Sequence, residues 1–388
     1  DMVIDHIPAP KVAEGTPQLL ITSLDFSSFT GRIAIGRLQR GELKENQQIS
    51  LVKRDGKIIK SRIKELHTFD GLGRKKVESV QAGDICAIVG LEGFEIGDTV
   101  TDIEKPEALK AISIDEPTMS MLFTINNSPF YAKEGKFVTS RQIRDRLERE
   151  LQINVGLKVD FDSDAFFTVY GRGELHIAVL LENMRREGYE LQVSQPHVIV
   201  KEEDGKKLEP YEEVTIDVRN EFSGAVIEKL TARRGMITSM HEKEGIVRMM
   251  IEIPTRGLLG YRGQFVVDTK GEGLLASRFI GFKEYAGEIK KRDVGSMTSM
   301  IKGTVAAYSL WTLQERGTLY VEHGDEVYEG MVIGNVTKGE EMSVNPTKGK
   351  QLTNMRASGS DEAVNVKPPY RLSIERGLEI MADDEFLE

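Results

Sequence analysis

The residues of this sequence whose types could do chemistry are mainly cations, and three groups of them stand out from an acidic background. Lys and Arg side chains neutralise phosphate, so each group is a candidate contact to the backbone of a nucleic acid. The three groups are Lys60, Arg62 and Lys64; Arg233 and Arg234; and Lys348, Lys350 and Arg356.

The third group lies in the run 342–360, which contains no acidic residue and carries Pro346 and Gly349. This composition predicts a long basic loop. Between its cations stand amide and hydroxyl side chains that suit contacts to phosphate and ribose. The predicted RNA-binding residues of the loop are Lys348, Lys350, Gln351, Thr353, Asn354 and Arg356. Three phosphate contacts give a salt slope of only about 2–3, so the loop alone would bind RNA weakly. The alternative is an ordinary surface loop.

The first two groups have structural alternatives of their own. Alternate residues of a strand share a face, so Lys60, Arg62 and Lys64 would point one way, with Ile59 and Ile63 towards a core. The alternative is a solvated strand face.

The pair Arg233 and Arg234 ends a predicted helix, where the macrodipole favours cations. Gly235 would supply the left-handed cap of that helix. The helix end alone is therefore an alternative to an RNA contact.

The sequence carries no pattern for catalysis or metal binding. It lacks a Gly-x-x-x-x-Gly-Lys-Ser/Thr phosphate loop, and its six histidines are not spaced like metal ligands. The Asp-x-x-Gly match at 70–73 is interpreted as a turn. No catalytic residue, metal site or cofactor site is predicted in this chain, and an enzyme is not expected from it.

Composition limits the classes of protein to which this chain can belong. The chain has 388 residues, 29% charged and 39% hydrophobic, with a net charge of −10, which excludes a uniformly basic nucleic-acid binder. No apolar run approaches 18 residues, so no membrane span is expected. One cysteine, Cys86, fits a reducing compartment and predicts a cytoplasmic protein. The start at Asp1 suggests a fragment, the alternative being a processed or tag-cleaved protein.

Hydrophobic periodicity along the sequence predicts the strands and helices that position the cationic residues. Residues 17–105 show short strands with Gly at the corners, typical of a small β-barrel. Residues 108–198 follow the order β-α-β-β-α-β, with a helix over 174–187 whose Leu175, Val179 and Met184 face inward. Residues 209–285 repeat that order, with one helix-length segment over 258–267. Residues 286–388 are expected to be β-rich, with a helix over 371–381.

The fold class is therefore a multi-domain α+β chain: a β-barrel, two ferredoxin-like βαββαβ modules, and a β-rich C-terminal domain with a terminal helix. The predicted domains are 1–107, a linker plus the barrel; 108–202 and 203–288, the two modules; and 289–388, which contains the basic loop 343–360.

Several motifs resemble translational GTPases. Residues 31–44 resemble the β-barrel second domain of that superfamily, 171–176 the third domain of elongation factor G, and 233–237 its fifth domain. Only the short stretch 196–211 separates the two modules, which leaves the LepA-like and BipA/TypA-like branches. The runs 256–263 and 324–357 resemble the BipA/TypA family specifically.

The resemblance implies a GTPase domain ahead of Asp1 that would hold GTP and Mg²⁺, so the full-length protein would hydrolyse GTP and this chain would carry no cofactor. It implies docking at the factor site of the ribosome, contacts to large-subunit rRNA, and support of large-subunit assembly and stress adaptation. It also implies that the loop 348–358 reaches the acceptor end of the A-site tRNA. The expected protein is a monomer without membrane contact. The alternatives are a fragment of a LepA-like elongation factor, or a protein-interaction scaffold.

Overall fold

The computed structural model describes residues 2–8, 13–27, 29–112, 116–163, 165–289, 295–349 and 365–388. The chain folds into two compact units, a first unit of residues 1–117 with 141–162 and a second unit of residues 118–140 with 163–388. Each unit has its own hydrophobic core. The finer division into four domains stays a prediction.

The first unit is built mainly from short antiparallel strands that form a β-barrel. Eight of the strands follow the order β5-β4-β10-β1-β2-β9-β6-β7, and β3 pairs with β8. Its elements up to residue 117 are α1 (Met2–His6), β1 (Gln18–Ser27), β2 (Gly31–Arg40), β3 (Glu42–Lys44), β4 (Gln48–Val52), β5 (Ile58–Arg62), β6 (Glu65–Asp70), β7 (Gly73–Lys76), β8 (Ser79–Gln81), β9 (Ile85–Val89) and β10 (Thr99–Thr101).

Apolar side chains that alternate along these strands fill the barrel core, because successive residues of a strand point to opposite faces. Leu19 and Ile21 of β1 and Leu51 of β4 are fully buried in it. Two tight turns use glycine in the left-handed region, with φ of 84° at Gly56 between β4 and β5 and 58° at Gly71 between β6 and β7. The Asp-x-x-Gly match is thus the hairpin turn that the sequence predicts.

The next segment follows the predicted β-α-β-β-α-β order. Helix α2, from its second residue onward, and strand β12 cluster with the barrel in the first unit, and the other elements lie in the second unit. There β11 pairs with β13, β14 and β15, all antiparallel. The elements are β11 (Met119–Thr124), α2 (Ser140–Glu150), β12 (Lys158–Asp160), β13 (Phe166–Gly171), α3 (Glu174–Glu187), β14 (Gln192–Ser194), β15 (His197–Val198) and β16 (Lys201–Glu203).

Helix α3 turns a different face inward from the predicted one. Met184 is fully buried as expected, but Leu175 and Val179 are 68% and 50% exposed. The buried face of α3 consists of Ile177, Ala178, Leu180, Leu181 and Met184. The prediction was wrong because the helix carries more apolar residues than its buried face can hold, so spacing alone allowed two interpretations.

The second ferredoxin-like module is built on a five-stranded antiparallel sheet, in which β17 pairs with β16, β19 and β20, and β19 pairs with β18. The predicted helix over 258–267 is instead two short helices, separated at Leu259 and Gly260, where Gly260 has a φ of 69°. The elements are β17 (Lys206–Arg219), α4 (Asn220–Ala232), β18 (Met236–Lys243), β19 (Ile246–Pro254), α5 (Thr255–Leu258), α6 (Tyr261–Asp268) and β20 (Leu274–Glu284).

A buried ion pair fixes the segment that leaves this module. Arg256 Nε lies 2.5 Å from Glu209 Oε2, and their side chains are only 10% and 0% exposed. The Glu209 carboxylate also accepts the backbone N–H of Ala286 at 2.8 Å. Arg256 donates to the carbonyl of Gly287 and lies 4.3 Å from the ring centroid of Tyr285. The pair therefore attaches the departing chain to the module.

The C-terminal domain is β-rich with a terminal helix, as predicted. Its main sheet has the order β23-β25-β21-β26, in which β21 and β26 are parallel, and β22 pairs with β24. The elements are β21 (Ser296–Ser299), β22 (Gly303–Thr304), α7 (Ala307–Leu313), β23 (Gly317–Leu319), β24 (Glu326–Val327), β25 (Val332–Val336), β26 (Met342–Val344), α8 (Ile374–Ile380) and β27 (Phe386–Leu387).

The carboxyl-terminal segment, residues 371–388, returns to the sheet of the first ferredoxin-like module. Strand β27 pairs with β14, so that Leu387 lies opposite Val193. Gln195 Nε2 donates to the carbonyl of Met381 at 2.6 Å in a buried position. Helix α8 lies beside α3, and Gly260 approaches the backbone of Glu379. One segment thus contacts both modules of the second unit.

Among the described residues, no helix combines the length and the apolar character needed to cross a membrane.

Candidate RNA-binding surfaces

The first cationic group lies at the end of barrel strand β5. Lys60 and Arg62 alternate along β5, opposite Ser50 and Gln48 of β4, and Lys64 follows two residues later. All three side chains are exposed, whereas Ile63 between them is fully buried in the barrel core. Because none of the three forms an ion pair within the described part of the chain, their charges stay available to an anion.

The second group divides into a half-buried and an exposed residue. Arg233 donates from Nη1 to the carbonyls of Gly257 at 3.1 Å and Leu259 at 2.8 Å. Its guanidinium also lies 5.4 Å from the ring centroid of Tyr261. Arg233 therefore stabilises the C-terminal end of α5, and only Arg234 is exposed.

The cap of α4 differs from the prediction. The left-handed residue is Arg234, with a φ of 67°, and Gly235 does not have a positive φ. Glycine is needed at 235 for another reason, since a Cβ there would lie 2.8 Å from the carbonyl oxygen of Leu230.

The two cations near this pair in sequence are themselves ion-paired, Lys229 with Asp268 at 2.5 Å and Arg219 with Glu272 at 2.6 Å.

The third group lies only partly within the described structure. Strand β26 occupies the start of the predicted loop, where Met342 and Ser343 pair with β21. Lys348 follows and is exposed. The other predicted loop residues lie outside the described residues: Lys350, Gln351, Thr353, Asn354 and Arg356.

Helix α7 and the residue that follows it hold the chain on both sides of this loop. Ser309 Oγ donates to the carbonyl of Lys348 at 2.8 Å. Gln314 Nε2 donates to the carbonyl of Asn365 at 3.0 Å, and Gln314 Oε1 accepts the N–H of Lys367 at 2.9 Å. Sequence reasoning missed this anchor, because nothing in the spacing of residues 309 and 314 points to partners about 40 to 50 positions away.

Two buried titratable groups lie away from these surfaces. Burial raises the pKa of the Cys86 thiol to about 12, which leaves it protonated and unreactive at neutral pH. Burial also raises the pKa of the Glu174 carboxyl to about 7, and the nearby Glu379 carboxylate adds to the rise. The described residues contain no cluster of three His, Cys, Asp or Glu side chains suited to a metal ion.

Comparison with known proteins supplies the family. Residues 294–388 match the family model of the TypA/BipA C-terminal domain. Over the whole chain, 48% of residues are identical to the large ribosomal subunit assembly factor BipA of Escherichia coli strain K12. This chain belongs to the BipA/TypA family. The same-named proteins of Haemophilus influenzae and Synechocystis are 45% and 43% identical, again over 100% of the chain.

Two further family models cover other parts of this BipA/TypA chain. Residues 31–101 match elongation factor Tu domain 2, and residues 206–293 match the elongation factor G C-terminus. The first and second cationic groups therefore lie in translation-factor domains, and the loop lies in the family's own domain. The match of residues 294–388 to the TypA/BipA C-terminal domain argues against the LepA-like alternative.

The chain spans 64% of the length of the relatives from Escherichia coli and Haemophilus influenzae, and 66% of the one from Synechocystis.

Proposed function

We propose that this chain is the ribosome- and RNA-binding portion of a translational GTPase that serves assembly of the large ribosomal subunit. Its relatives carry the name of a large ribosomal subunit assembly factor, and its domains match those of elongation factors. Docking takes place at the factor site of the ribosome, in the cytoplasm, and the chain acts as a monomer. Support of assembly and of stress adaptation follows from that docking.

The observation that carries this proposal is the anchored basic loop. Ser309 of α7 and Gln314, which follows that helix, hold the chain on either side of it. Fixed ends reduce the conformational freedom that a loop loses on binding, so more of its interaction energy is kept as affinity. The run 342–360 contains three cations and no acidic residue, which favours a polyanionic partner over a protein. The loop contacts the acceptor end of the A-site tRNA.

The decisive experiment measures binding of this chain to ribosomes and to tRNA at several salt concentrations. The combined variant Lys348→Glu, Lys350→Glu and Arg356→Glu is expected to weaken binding. It should also lower the salt slope by about 2, since each single-strand phosphate contact contributes roughly 0.7. A crosslinking map on ribosomes would identify the rRNA and tRNA positions reached.

A matched control keeps the change in net charge and moves it elsewhere. Lys243, Lys338 and Arg371 are exposed and lie outside the loop. Their combined change to Glu is expected to leave the salt slope nearly unchanged. Equal effects of the two triple variants would reject a specific loop contact. Binding to ribosomal proteins alone, without RNA, would favour the protein-interaction scaffold.

Nucleotide chemistry is assigned to the complete protein and not to this chain. The sequence lacks a phosphate-loop motif, so GTP and Mg²⁺ would be held by a domain outside these 388 residues. Calorimetric titration of this chain with GTP is expected to give no heat of binding. Micromolar affinity for GTP would contradict this assignment.

A further inference from the structure

Helix α7 carries an aromatic pair of which Tyr308 is half-buried and Trp311 is exposed. The rings of Tyr308 and Trp311 are 6.0 Å apart between centroids and tilted by 39°. Trp311 is 40% exposed, and it is the only tryptophan of the chain. Trp is largely buried in most proteins, so an exposed ring at this place needs a physical reason.

Two lysines are held at the helix that carries Trp311. The backbone of Lys348 is hydrogen-bonded to Ser309 of α7, two positions before Trp311, and that of Lys367 to Gln314, which follows α7 directly. Both lysine side chains are exposed, and neither is ion-paired within the described ranges. The acidic residue nearest in sequence on this helix end is Glu315, which is also exposed.

An exposed aromatic ring with cations nearby is the usual composition of a site for single-stranded nucleic acid. Bases stack on the ring, and the cations neutralise the neighbouring phosphates. A protein partner fits this surface less well. Thr312, Glu315 and Arg316 beside the rings are exposed and polar, so the apolar area is far smaller than a stable protein interface needs.

We propose that Trp311 is a stacking platform for an unpaired base of single-stranded RNA, with Lys348 and Lys367 contacting the flanking phosphates. This inference rests on the proposed function, because it assumes that the ligand of the C-terminal domain is RNA. It adds a recognition element outside the basic loop. The interior of a duplex would not satisfy it, since stacked base pairs leave no free face for the indole there.

The lone tryptophan makes the proposal directly measurable, because its emission reports on position 311 alone. A single-stranded oligoadenylate of 12 nucleotides is titrated into the chain, with a blunt RNA duplex of 12 base pairs as the comparison. The single strand is expected to quench the emission and to protect it from acrylamide. The duplex is expected to do so much less. Binding of the single strand without any change in emission would overturn the proposal.

Variants give a second, independent measurement with a fluorescently labelled oligonucleotide. Trp311→Ala is expected to weaken binding roughly 5- to 100-fold, the range that loss of one base–aromatic stack produces. Trp311→Phe should retain most of the affinity, and Lys367→Glu should lower both affinity and salt slope. Glu315→Gln should tighten binding, since it removes a carboxylate near the phosphates. Tyr131→Ala, which removes an aromatic side chain of similar exposure in another module, is the control and should change nothing.

Ribosome binding of the same variants separates this inference from the proposed function. If the chain binds ribosomes and Trp311→Ala binds RNA equally well, the stacking platform is wrong and the proposed function stands. If the chain binds neither ribosomes nor RNA, the proposed function is wrong as well. Quenching by ribosomal proteins in the absence of RNA would reject the RNA ligand in favour of a protein partner.

Discussion

Arg256 and Glu209 show how much a single buried pair of charges can control. Both side chains are almost fully buried, and together they hold Ala286 and Gly287 of the departing chain. When one partner of such a pair is removed, the other remains as an uncompensated buried charge. The cost therefore exceeds what an ordinary surface ion pair contributes.

Arg256→Ala is expected to lower the free energy of unfolding of the second unit by about 3–5 kcal/mol. The exposed pair of Arg248 with Asp217, at 2.6 Å in the same sheet, provides the control. Arg248→Ala should cost much less than Arg256→Ala, because solvent screens that pair. Urea unfolding of both variants measures the difference. Equal losses would show that burial of Arg256 does not matter.

Glu174 is a second residue whose environment determines its behaviour. Its Oε1 is buried without a hydrogen-bond partner among the described residues. Burial is the main reason why its pKa rises to about 7, with Glu379 and Glu375 adding to the rise and Arg262 opposing it. The folded state therefore favours the protonated carboxyl. Stability from this residue is fully present below the unfolded pKa of about 4.3 and is lost as pH rises to 7.

Glu174→Gln is expected to stabilise the protein at pH 8 by on the order of 2 kcal/mol, because the amide removes the cost of a buried charge. The gain should disappear at about pH 3.5, below the unfolded pKa, where the carboxyl is mostly protonated in both states. Glu182→Gln on the same helix is the control, since Arg185 and Arg186 lower the pKa of Glu182 to about 2. That variant should bring no gain at pH 8. Urea unfolding at both pH values would refute the prediction if the Glu174→Gln effect were independent of pH.

At the scale of elements, helix α3 contains apolar residues that pack into the core and others that stay exposed. Met184 is fully buried, whereas Leu175 is 68% exposed although both fit the helical period. Met184→Ala should cost about 2–5 kcal/mol through loss of burial and the cavity left behind. Leu175→Ala should stay within about 0.5 kcal/mol. Thermal unfolding of the two variants measures the contrast, and comparable losses would mean that Leu175 is covered in solution.

The same helix shows what could and could not be predicted from the sequence. Alternation in the barrel strands and the β-α-β-β-α-β order were sufficient for the fold class, because burial repeats locally with the period of each element. The inward face of α3 depends on which neighbours cover it, and these are distant in sequence. The break at Gly260 depends on the approach of Glu379, more than 100 positions later.

The candidate site likewise has features that could be predicted from the sequence and features that could not. Lys60, Arg62 and Lys64 could be placed on one face from strand geometry alone. The hydrogen bonds from Arg233 to two backbone carbonyls could not be predicted, since α5 is not adjacent to Arg233 in sequence. The role of α7 required the fold as well. Trp311 became a candidate only when its exposure and the anchors beside it were known.

At the scale of the whole molecule, the carboxyl-terminal segment stabilises elements formed much earlier in the chain. Strand β27 pairs with β14, and Leu387 packs against Gly377 of α8. Loss of this strand would leave β14 as an open edge, with its backbone groups exposed to solvent. The segment therefore protects the first ferredoxin-like module.

Leu387→Pro is expected to release β27, because proline cannot donate to a ladder of backbone hydrogen bonds. Hydrogen exchange of the β14 amides should accelerate roughly tenfold or more, the change that about 1.4 kcal/mol of lost protection produces. Phe386→Ala is the control, since that side chain is 51% exposed. The amides of barrel strand β4 should exchange as before. Unchanged exchange of β14 in Leu387→Pro would show that β27 contributes no protection.

The pairing of Val193 with Leu387 also has a consequence for the order in which the protein is made. A strand at 193 leaves the synthesising ribosome well before a strand at 387 exists. At roughly 5–20 residues per second, the edge of β14 waits about 10–40 s for its partner during translation. Nascent chains are therefore exposed to edge-to-edge association for that interval, and slow codons between these positions should lower the yield of folded protein.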